Sequence, residues 1–571
     1  MLKQRPTPAK MSQEAARKLP RYALLVLLVL FISAGLWVRD FWTIRDATTF
    51  GIAVDALNGT APDWVLPNIG GQWVAEHGPL TGWVAALFIG LLRGVMDEMT
   101  AYRVTSLFWF AMTTAALWYG TWNLARRPEA QPIAYAFGGE ARPRDYGRAI
   151  ADSAVLLFIA TFGIVTRQHE AIPDTALLAL ASVNFYGLAR MLRKPYWGAF
   201  TAGLSAGLAL LASTVFAGVW LLAAGLIVNT MLRGAPGNRD LRLVVMGFSA
   251  LLPPLLWAGA AWMLAPEKAP GWFTYWAQLQ AANFGLASPE TFLWLTKNFV
   301  WYLCPIWPLA LWGLYSWRHQ LEKTHLFLPI VVTATGIVAA LFSSSQSADT
   351  VFLDFIPAMA AFAAFALITV RRSQENVLDW FSLSIFSLAA LFLWAYRLAW
   401  ETGFAPKMAK SIQMLAPDAV PSFDFPFFAA LVATLLWFTF VGWRLTHRPV
   451  AAWRGPWLAA CGMTTATLLT VGLFHDGINI NRSYEPVALQ LKATLVDAGL
   501  EPADCVSAPG LPAGIRAMFI HYADLPLAPD VTQGCRFRLI RTKTGALPVN
   551  AIGGPAERPH TDESFYVLSV R

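Results

Sequence analysis

The chain has 571 residues, of which 56% are hydrophobic and only 14% are charged, whereas a soluble globular domain carries about 25% charged residues. Many of its apolar runs approach or exceed the ~18–20 residues that span a bilayer. The net charge of +8 comes from basic residues grouped between these runs, which is the positive-inside distribution of membrane proteins. The composition excludes a soluble enzyme and a disordered chain, indicates no nucleic-acid partner, and predicts a polytopic membrane protein.

The predicted elements begin with a basic tail over residues 1–22, which we expect to be cytoplasmic. The apolar run 23–38 predicts an anchoring helix rather than a signal peptide, because no small-residue cleavage site follows it. Further apolar runs predict helices at 79–95, 102–124, 150–166, 173–189, 198–213, 214–232, 243–265, 298–317, 325–343, 350–370, 378–398, 424–443 and 456–474. If every basic loop faces the cytoplasm, one run cannot span, and we expect 79–95 to lie in the outer interface.

This pattern predicts an all-α membrane domain of about 13 transmembrane helices over residues 23–474, with a first external loop at 39–100. The polar tail 475–571 combines one amphipathic helix pattern with three strand patterns. We therefore expect a small external α/β domain there. In a bacterium the protein would lie in the inner membrane, with the tail in the periplasm.

Acidic residues occur at three places on the predicted outer face, where ionisable groups beside a bilayer are candidates for function. Asp46 precedes an amphipathic helix predicted at 48–57, Glu76 stands directly before the run 79–95, and Asp174 opens the run 173–189. Capping of a helix is the simple alternative for each carboxylate. Three such places on one face favour a site.

The order and spacing of these residues resemble the GT-C superfamily of membrane glycosyltransferases. The residues that carry the resemblance are Asp46 in RDATTFG, Glu76 in QWVAEHGPL and Asp174 in PDTALLAL. The protein-mannosyltransferase-like family and its lipid A aminoarabinose transferase relatives are most similar. The resemblance implies transfer of a sugar from a polyprenyl-phosphate donor, such as undecaprenyl phosphate, to an envelope acceptor on the outer face. It also implies that Asp46 is the general base, with Asp174 and Glu76 in the catalytic site.

The chain departs from these relatives where they carry phosphate-binding cations, as at Glu76-His77-Gly78-Pro79. The candidate substrate-binding residues are the polar side chains near the outer face, namely Arg45, His77, Arg103, Arg167, His169, Glu170 and Lys297. Glu76 and His77 are side chains of the types that bind a divalent metal. No residue spacing in this sequence indicates a metal site as specifically as an HExxH motif does. No other cofactor is indicated.

Three other functions remain open at this point. A transporter or flippase for a lipid-linked sugar would also place acids in a membrane cavity, and Asp354 is the main acid expected in mid-helix, with Asp349 near the outer end of the same run. A protein O-glycosyltransferase and an inactive scaffold of the same fold are the others. The sequence leaves the sugar open, and the acceptor can be lipid A, another glycan or a protein.

Four cysteines divide into two pairs. Cys304 and Cys461 lie in apolar runs, where we expect inert packing residues. Cys505 and Cys535 lie near the starts of two predicted strands of the tail, and an oxidising compartment would favour a disulfide between them. Two buried free thiols are the alternative.

The topology can be tested at residues 93–100, which we expect outside although a simple hydropathy count would put them inside. A Glu98→Cys variant should react with a membrane-impermeant thiol reagent in intact cells. The parent chain, which keeps Cys304 and Cys461, provides the background. Labelling that requires broken membranes would overturn the arrangement of thirteen helices.

Overall fold

A computed structural model describes residues 7–36, 39–165, 167–232, 235–342, 352–417, 419–447, 450–530, 534–543, 548, 550–559 and 561–570. Most of these residues are helical. The helices up to residue 482 are α1 (Arg21–Ser33), α2 (Ile44–Asn58), α3 (Ala61–Val65), α4 (Leu80–Leu92), α5 (Glu98–Ala125), α6 (Pro143–Ala160), α7 (Phe162–Val165), α8 (Pro173–Met191), α9 (Pro195–Ala212), α10 (Val215–Met231), α11 (Arg239–Leu264), α12 (Ala269–Ala282), α13 (Pro289–Tyr302), α14 (Ile306–Ser316), α15 (Thr324–Leu341), α16 (Ile356–Leu367), α17 (Arg372–Thr402), α18 (Pro406–Leu415), α19 (Phe425–Thr446) and α20 (Arg454–Arg482).

Five helical segments of the described chain are long and apolar enough to cross a membrane. They are α11, α15, residues 373–402 of α17, α19 and the segment Arg454–Asp497 that contains α20. Shorter apolar helices accompany them, among them α1, α4 and α10. The protein is thus an integral membrane protein by its helices, while the count of about thirteen spans stays a prediction.

Close packing of the central helices depends on small residues. A Cβ atom added to Gly203 of α9 would lie 2.1 Å from the carbonyl oxygen of Met246 in α11, and one added to Gly207 would lie 2.2 Å from that of Ala250. Such approaches are the usual way that helices associate in lipid, where no hydrophobic effect drives them together. They fix α8, α9 and α11 as one tightly packed group.

The predicted helices differ from the structure in several places, and the run 150–166, for example, is divided at Thr161 between α6 and α7. The run 298–317 forms two helices, α13 and α14, because the chain breaks at residues 303–305, where Pro305 lacks an N–H to continue the helix. Asp354, expected in mid-helix, lies in the 3₁₀ turn Leu353–Phe355 that precedes α16. The last apolar run, predicted at 456–474, continues as one helix through His475 to Arg482. Asp349 falls outside the described residues.

The tail forms a five-stranded sheet with two helices, α21 (Glu485–Asp497) and α22 (Ala513–Ala523). A two-stranded hairpin in the first loop, β1 (Asn68–Ile69) and β2 (Gln72–Trp73), precedes it in the chain. The tail strands are β3 (Val506–Ser507), β4 (Leu527–Ala528), β5 (Phe537–Lys543), β6 (Ala551–Glu557) and β7 (Glu563–Ser569). Their order is β4-β3-β5-β7-β6, in which β3 runs parallel to β4 and β5, and β7 runs antiparallel to β5 and β6.

The helix and the three strands expected in the tail are α21, β3, β5 and β7. Residues alternate along β5, where Phe537 and Leu539 are buried and Arg538 is exposed, and this period of two made the strand recognisable. Helix α22 and strands β4 and β6 were not anticipated. Strand β4 has only two residues, and β6 carries two glycines and a proline that weaken a strand pattern.

The tail packs on the first loop through α22 and α2. A Cβ atom on Gly514 of α22 would lie 1.9 Å from the carbonyl oxygen of Ile44, so only glycine permits this approach. Phe50 of α2 shares one buried hydrophobic cluster with Phe519 of α22 and Phe565 of β7. The tail and the first loop therefore have a common core.

Cys505 and Cys535 form a disulfide in the structure, with Cα atoms 5.0 Å apart. On the chain-entropy model, closing a loop of this size stabilises the folded state by roughly 3–4 kcal/mol. We expect two reactive thiols, those of Cys304 and Cys461, in denatured protein that has not been reduced, and four after reduction. Four thiols before reduction would contradict the disulfide and weaken the external placement of the tail.

Candidate functional site

Asp46 lies in the first turn of α2, but it does not cap this helix. The N-cap is Thr43, whose side-chain oxygen accepts the backbone N–H of Asp46 at 3.3 Å. The carboxylate of Asp46 therefore points away from the helix end and is free to contact other elements. Capping does not explain this residue.

The carboxylate of Asp46 is held by three different parts of the chain and is 2% exposed as a residue. Its Oδ2 atom accepts a hydrogen bond from Arg39 Nη2 at 2.8 Å. Its Oδ1 atom accepts one from the Tyr102 hydroxyl of α5 at 2.8 Å and one from the backbone N–H of Ala171 at 3.3 Å. These contacts fix the orientation of the carboxylate and join the first loop, α5 and the segment 167–172 between α7 and α8, which we call the second loop.

Glu170 is the second carboxylate around Arg39. Its Oε1 lies 3.7 Å from Arg39 Nη2, and its Oε2 lies 3.3 Å from Arg167 Nη1. Burial raises the pKa of Glu170 to about 7, and the charge of Asp46 adds to this rise, while Arg39 and Arg167 oppose it. Arg39, Asp46 and Glu170 thus form a buried ion cluster, which we call the Arg39 cluster.

His169 supports the second loop. Its Nδ1 lies 2.7 Å from the carbonyl oxygen of Val165, and its Nε2 lies 2.7 Å from that of Phe31 in α1. Burial lowers the pKa of this imidazole. A Cβ atom on Gly35 would lie 2.4 Å from His169 Cβ, so the chain after α1 passes directly over the ring. These contacts make His169 a positioning residue of the loop.

A second ion pair lies beside the Arg39 cluster. Arg45 Nη1 contacts Asp174 Oδ2 at 3.1 Å, and the side chain of Arg45 is 30% exposed. His77 is half-buried near this pair, and burial lowers its pKa although the charges of Asp174 and Glu76 raise it. Glu76 itself is exposed. The structure therefore brings Asp46 and Asp174 together at the start of α2, with Asp46 buried deeper, whereas Glu76 is related to this pair only through the effect of its charge on His77.

Arg103 and Lys297 have different surroundings. Arg103 of α5 is 5% exposed, its Nη2 lies 2.7 Å from Met99 Sδ, and it lines a cavity of about 490 Å³ together with Arg39, Asp40 and Tyr522. Lys297 is exposed on α13, and no described contact joins it to these acids. Among the described residues, no group of three or more His, Cys, Asp and Glu side chains is arranged to hold a metal ion.

Two residues that hold the Asp46 carboxylate, Arg39 and Tyr102, were not among the sequence candidates. Arg39 follows the first apolar run immediately, and a cation at the outer end of a predicted helix was the available signal. Tyr102 gave no signal, because one tyrosine near the start of an apolar run is ordinary in a membrane protein. Its contact with Asp46 spans 56 positions of the chain.

Solved structures share this architecture. The crystal structure of ArnT from Cupriavidus metallidurans bound to undecaprenyl phosphate has a TM-score of 0.63 and 15% sequence identity, and the match covers 96% of this chain and 97% of that chain. Its apo state gives a TM-score of 0.60 at the same identity and coverage. The arabinosyltransferase EmbB from Mycobacterium smegmatis gives a TM-score of only 0.40. No family model and no curated protein sequence matches the chain.

The protein therefore shares its fold with ArnT, and the shared fold extends over nearly the whole length of both chains.

The raised pKa of Glu170 predicts a specific pH dependence of stability. The unfolded chain loses this proton near pH 4.5 and the folded protein near pH 7, so the contribution to stability is present below pH 4.5 and is lost as the pH rises through 7. A shift of this size corresponds to at most roughly 3 kcal/mol. The Glu170→Gln side chain cannot ionise. The free energy of unfolding of this variant, measured relative to that of the parent, should therefore increase as the pH is raised from 5 to 8.

Thermal unfolding of the purified protein from pH 5 to pH 8 measures this difference. Glu401→Gln is the matched control, because Glu401 is also paired with an arginine, Arg397, on a different part of the chain. Its difference from the parent should change little over this range. A Glu170→Gln variant whose stability difference from the parent is the same at pH 5 and pH 8 would contradict the assignment.

Proposed function

We propose that this protein is a glycosyltransferase that moves a sugar from a polyprenyl-phosphate donor to an envelope acceptor on the periplasmic face of a bacterial inner membrane. The observation that carries the proposal is the Asp46 carboxylate, oriented by Arg39, Tyr102 and Ala171 at the outer loops. The fold it shares with ArnT, which was solved with bound undecaprenyl phosphate, supports the same class of donor.

In this proposal Asp46 is the general base. An ionised carboxylate has about four lone-pair positions, and three are used by Arg39, Tyr102 and the N–H of Ala171. The remaining position on Oδ2 accepts the proton of the acceptor oxygen, which attacks the anomeric carbon of the donor. The bond from that carbon to the polyprenyl phosphate breaks, and the phosphate leaves with the electron pair. One base is sufficient, because the phosphate leaves without a strong acid.

The surroundings of Asp46 suit this role. Arg39 holds the carboxylate in place with its Nη2 2.8 Å from Oδ2, and burial excludes water that would compete with the acceptor. Because Asp46 is 2% exposed, binding of the substrates has to open the contact with Arg39. Arg103 lines the cavity on the Arg39 side and is the cation that we assign to the leaving phosphate. Asp174 positions Arg45, which follows Ile44 at the start of α2.

A transporter or flippase is less favoured by the described residues. That alternative relied on Asp354 as an acid in the middle of a helix, and Asp354 instead lies in a turn that packs on α8. The acceptor is lipid A or another envelope glycan in this proposal. A protein O-glycosyltransferase remains within the same chemistry and differs only in the acceptor.

The catalytic role of Asp46 is tested by Asp46→Asn, which keeps the shape of the side chain and removes its basicity. Loss of a positioned general base lowers the rate by about 10²–10⁴-fold. Transfer of radiolabelled sugar in membranes that contain equal amounts of folded protein measures the effect. Near-normal transfer by this variant would contradict the proposal.

Asp379→Asn is the matched control. Asp379 is as buried as Asp46 and pairs with two arginines, Arg444 at 2.8 Å and Arg454 at 2.7 Å. It joins α17, α19 and α20, away from the Arg39 cluster. The substitution disrupts an equivalent buried ion pair, and we expect it to retain transfer while it lowers thermal stability.

A further inference from the structure

The loop between α8 and α9 lies at the end of the helices that is remote from Asp46. Helix α8 has 19 residues and starts where Asp174 pairs with Arg45, so at 1.5 Å per residue its other end lies about 27 Å away. The residues that precede α11 contact this loop, since the N–H of Asn238 donates to the Tyr196 hydroxyl at 3.2 Å. The two segments form one surface, which we call the basic surface and which consists of residues 190–197 and 235–242.

Five cations belong to the basic surface, and the backbone groups them closely. The N–H groups of Arg193 and Lys194 both donate to the carbonyl oxygen of Arg190, at 2.9 and 2.8 Å, so these three residues share a single turn. Arg239 and Arg242 belong to the first turn of α11, where residues three positions apart lie on the same side of a helix.

No ion pair among the described residues neutralises these cations. The guanidinium of Arg190 lies over the ring of Tyr186, 5.8 Å from its centroid, and Nε of Arg242 donates to Asn229 Oδ1 at 2.7 Å. Both partners are uncharged. Asp240 is the only acid of the basic surface, so five cations face one carboxylate and a net positive charge remains.

Other cations at this end of the helices are paired with acids. These pairs are Arg444 and Arg454 with Asp379, Arg21 with Asp152, and Arg127 with Glu129. An excess of Lys and Arg is general in cytoplasmic loops and does not by itself define a binding site. The basic surface differs from its surroundings because its charge is left unbalanced by the described structure.

Apolar side chains border the cations. Trp197, in the first turn of α9, is 63% exposed, and Leu241, Val244 and Phe248 are exposed along one face of α11. Helix α11 is long and apolar enough to cross a membrane, so this face contacts lipid chains. Tryptophan is enriched where lipid headgroups meet the hydrocarbon of a bilayer. The basic surface therefore lies at the depth of the headgroups, with lipid chains directly beside it.

We propose that the basic surface binds the phosphate headgroup of an anionic phospholipid in the leaflet that the basic loops face. Guanidinium forks match phosphate oxygens, and basic residues between membrane helices bind such headgroups. The start of α9 contributes as well, because its N-cap residue Lys194 supplies no side-chain acceptor and the positive end of the helix dipole favours an anion. The acyl chains lie along the exposed face of α11. This site is separate from that of the proposed reaction and does not depend on it.

Native mass spectrometry of the purified, delipidated full-length protein measures the binding of single lipids. The probes are phosphatidylglycerol, phosphatidylcholine with the same acyl chains, and sn-glycerol 3-phosphate. We expect phosphatidylglycerol to bind at a lower concentration than phosphatidylcholine, and sn-glycerol 3-phosphate, which has no chains, to bind much more weakly than either. Equal binding of the two lipids would overturn the proposal. Binding of sn-glycerol 3-phosphate as tight as that of phosphatidylglycerol would overturn the assignment to a lipid.

The variant Arg193→Gln/Lys194→Gln/Arg239→Gln removes three exposed charges of the basic surface. Each basic residue near an anionic headgroup contributes about fivefold in affinity, which corresponds to ~1 kcal/mol. The half-saturating concentration of phosphatidylglycerol for the first bound lipid should therefore rise by about a hundredfold, while binding of phosphatidylcholine stays unchanged. If this variant does not fold, Arg193→Gln/Lys194→Gln keeps the test, with an expected rise of about 25-fold.

Arg17→Gln/Lys18→Gln/Arg144→Gln is the matched control. It removes the same number of exposed cations at the same end of the helices, but from other segments of the chain. We expect this control to bind phosphatidylglycerol as the parent does. An equal loss in the control would overturn the proposal, because attraction by the basic loops as a whole would then explain the binding. Unchanged binding in Arg193→Gln/Lys194→Gln/Arg239→Gln would overturn it as well.

Discussion

A buried guanidinium has to be matched by negative charge, and at the outer face of this protein that guanidinium belongs to Arg39. Removing one partner of such a pair costs ~3–5 kcal/mol, because the other charge is left uncompensated. Asp46 and Glu170 lie in two different loops, and both form ion pairs with Arg39. The cluster therefore holds the loop after α1 and the loop before α8 in one arrangement, and the orientation of the candidate base follows from it.

Burial of an ion pair does not by itself mark a functional site. Asp379 has the same exposure as Asp46 and contacts two arginines, but it sits among the basic loops, where it stabilises the ends of three helices. Asp46 differs through its neighbours. It is oriented by a hydroxyl and a backbone N–H as well as by an arginine. Its partner Arg39 lines one cavity together with Arg103, and its chain neighbour Arg45 lines another.

The tail is packed against the first loop and is not a separate domain connected to the membrane helices by the chain alone. Its helix α22 approaches α2 closely at Gly514, and aromatic residues of the two parts share one core. A domain of fewer than about 100 residues buries little surface by itself, and the disulfide between Cys505 and Cys535 together with this shared core compensates for that. As a result, residues of the tail line both the cavity that contains Arg45 and the cavity that contains Arg39.

The sequence by itself determined the helical membrane architecture, an amphipathic helix next to Asp46, and the α/β nature of the tail, because hydrophobic periodicity and loop charge are local properties of the chain. The order of Asp46, Glu76 and Asp174 in the sequence also made them candidates for the catalytic site. Only the tertiary structure showed that Arg39 and Tyr102 hold Asp46, that the run 298–317 breaks into two helices, and that Arg45 and Arg558 line one pocket. These features depend on contacts between positions far apart in the chain, and a single sequence carries no signal for such contacts.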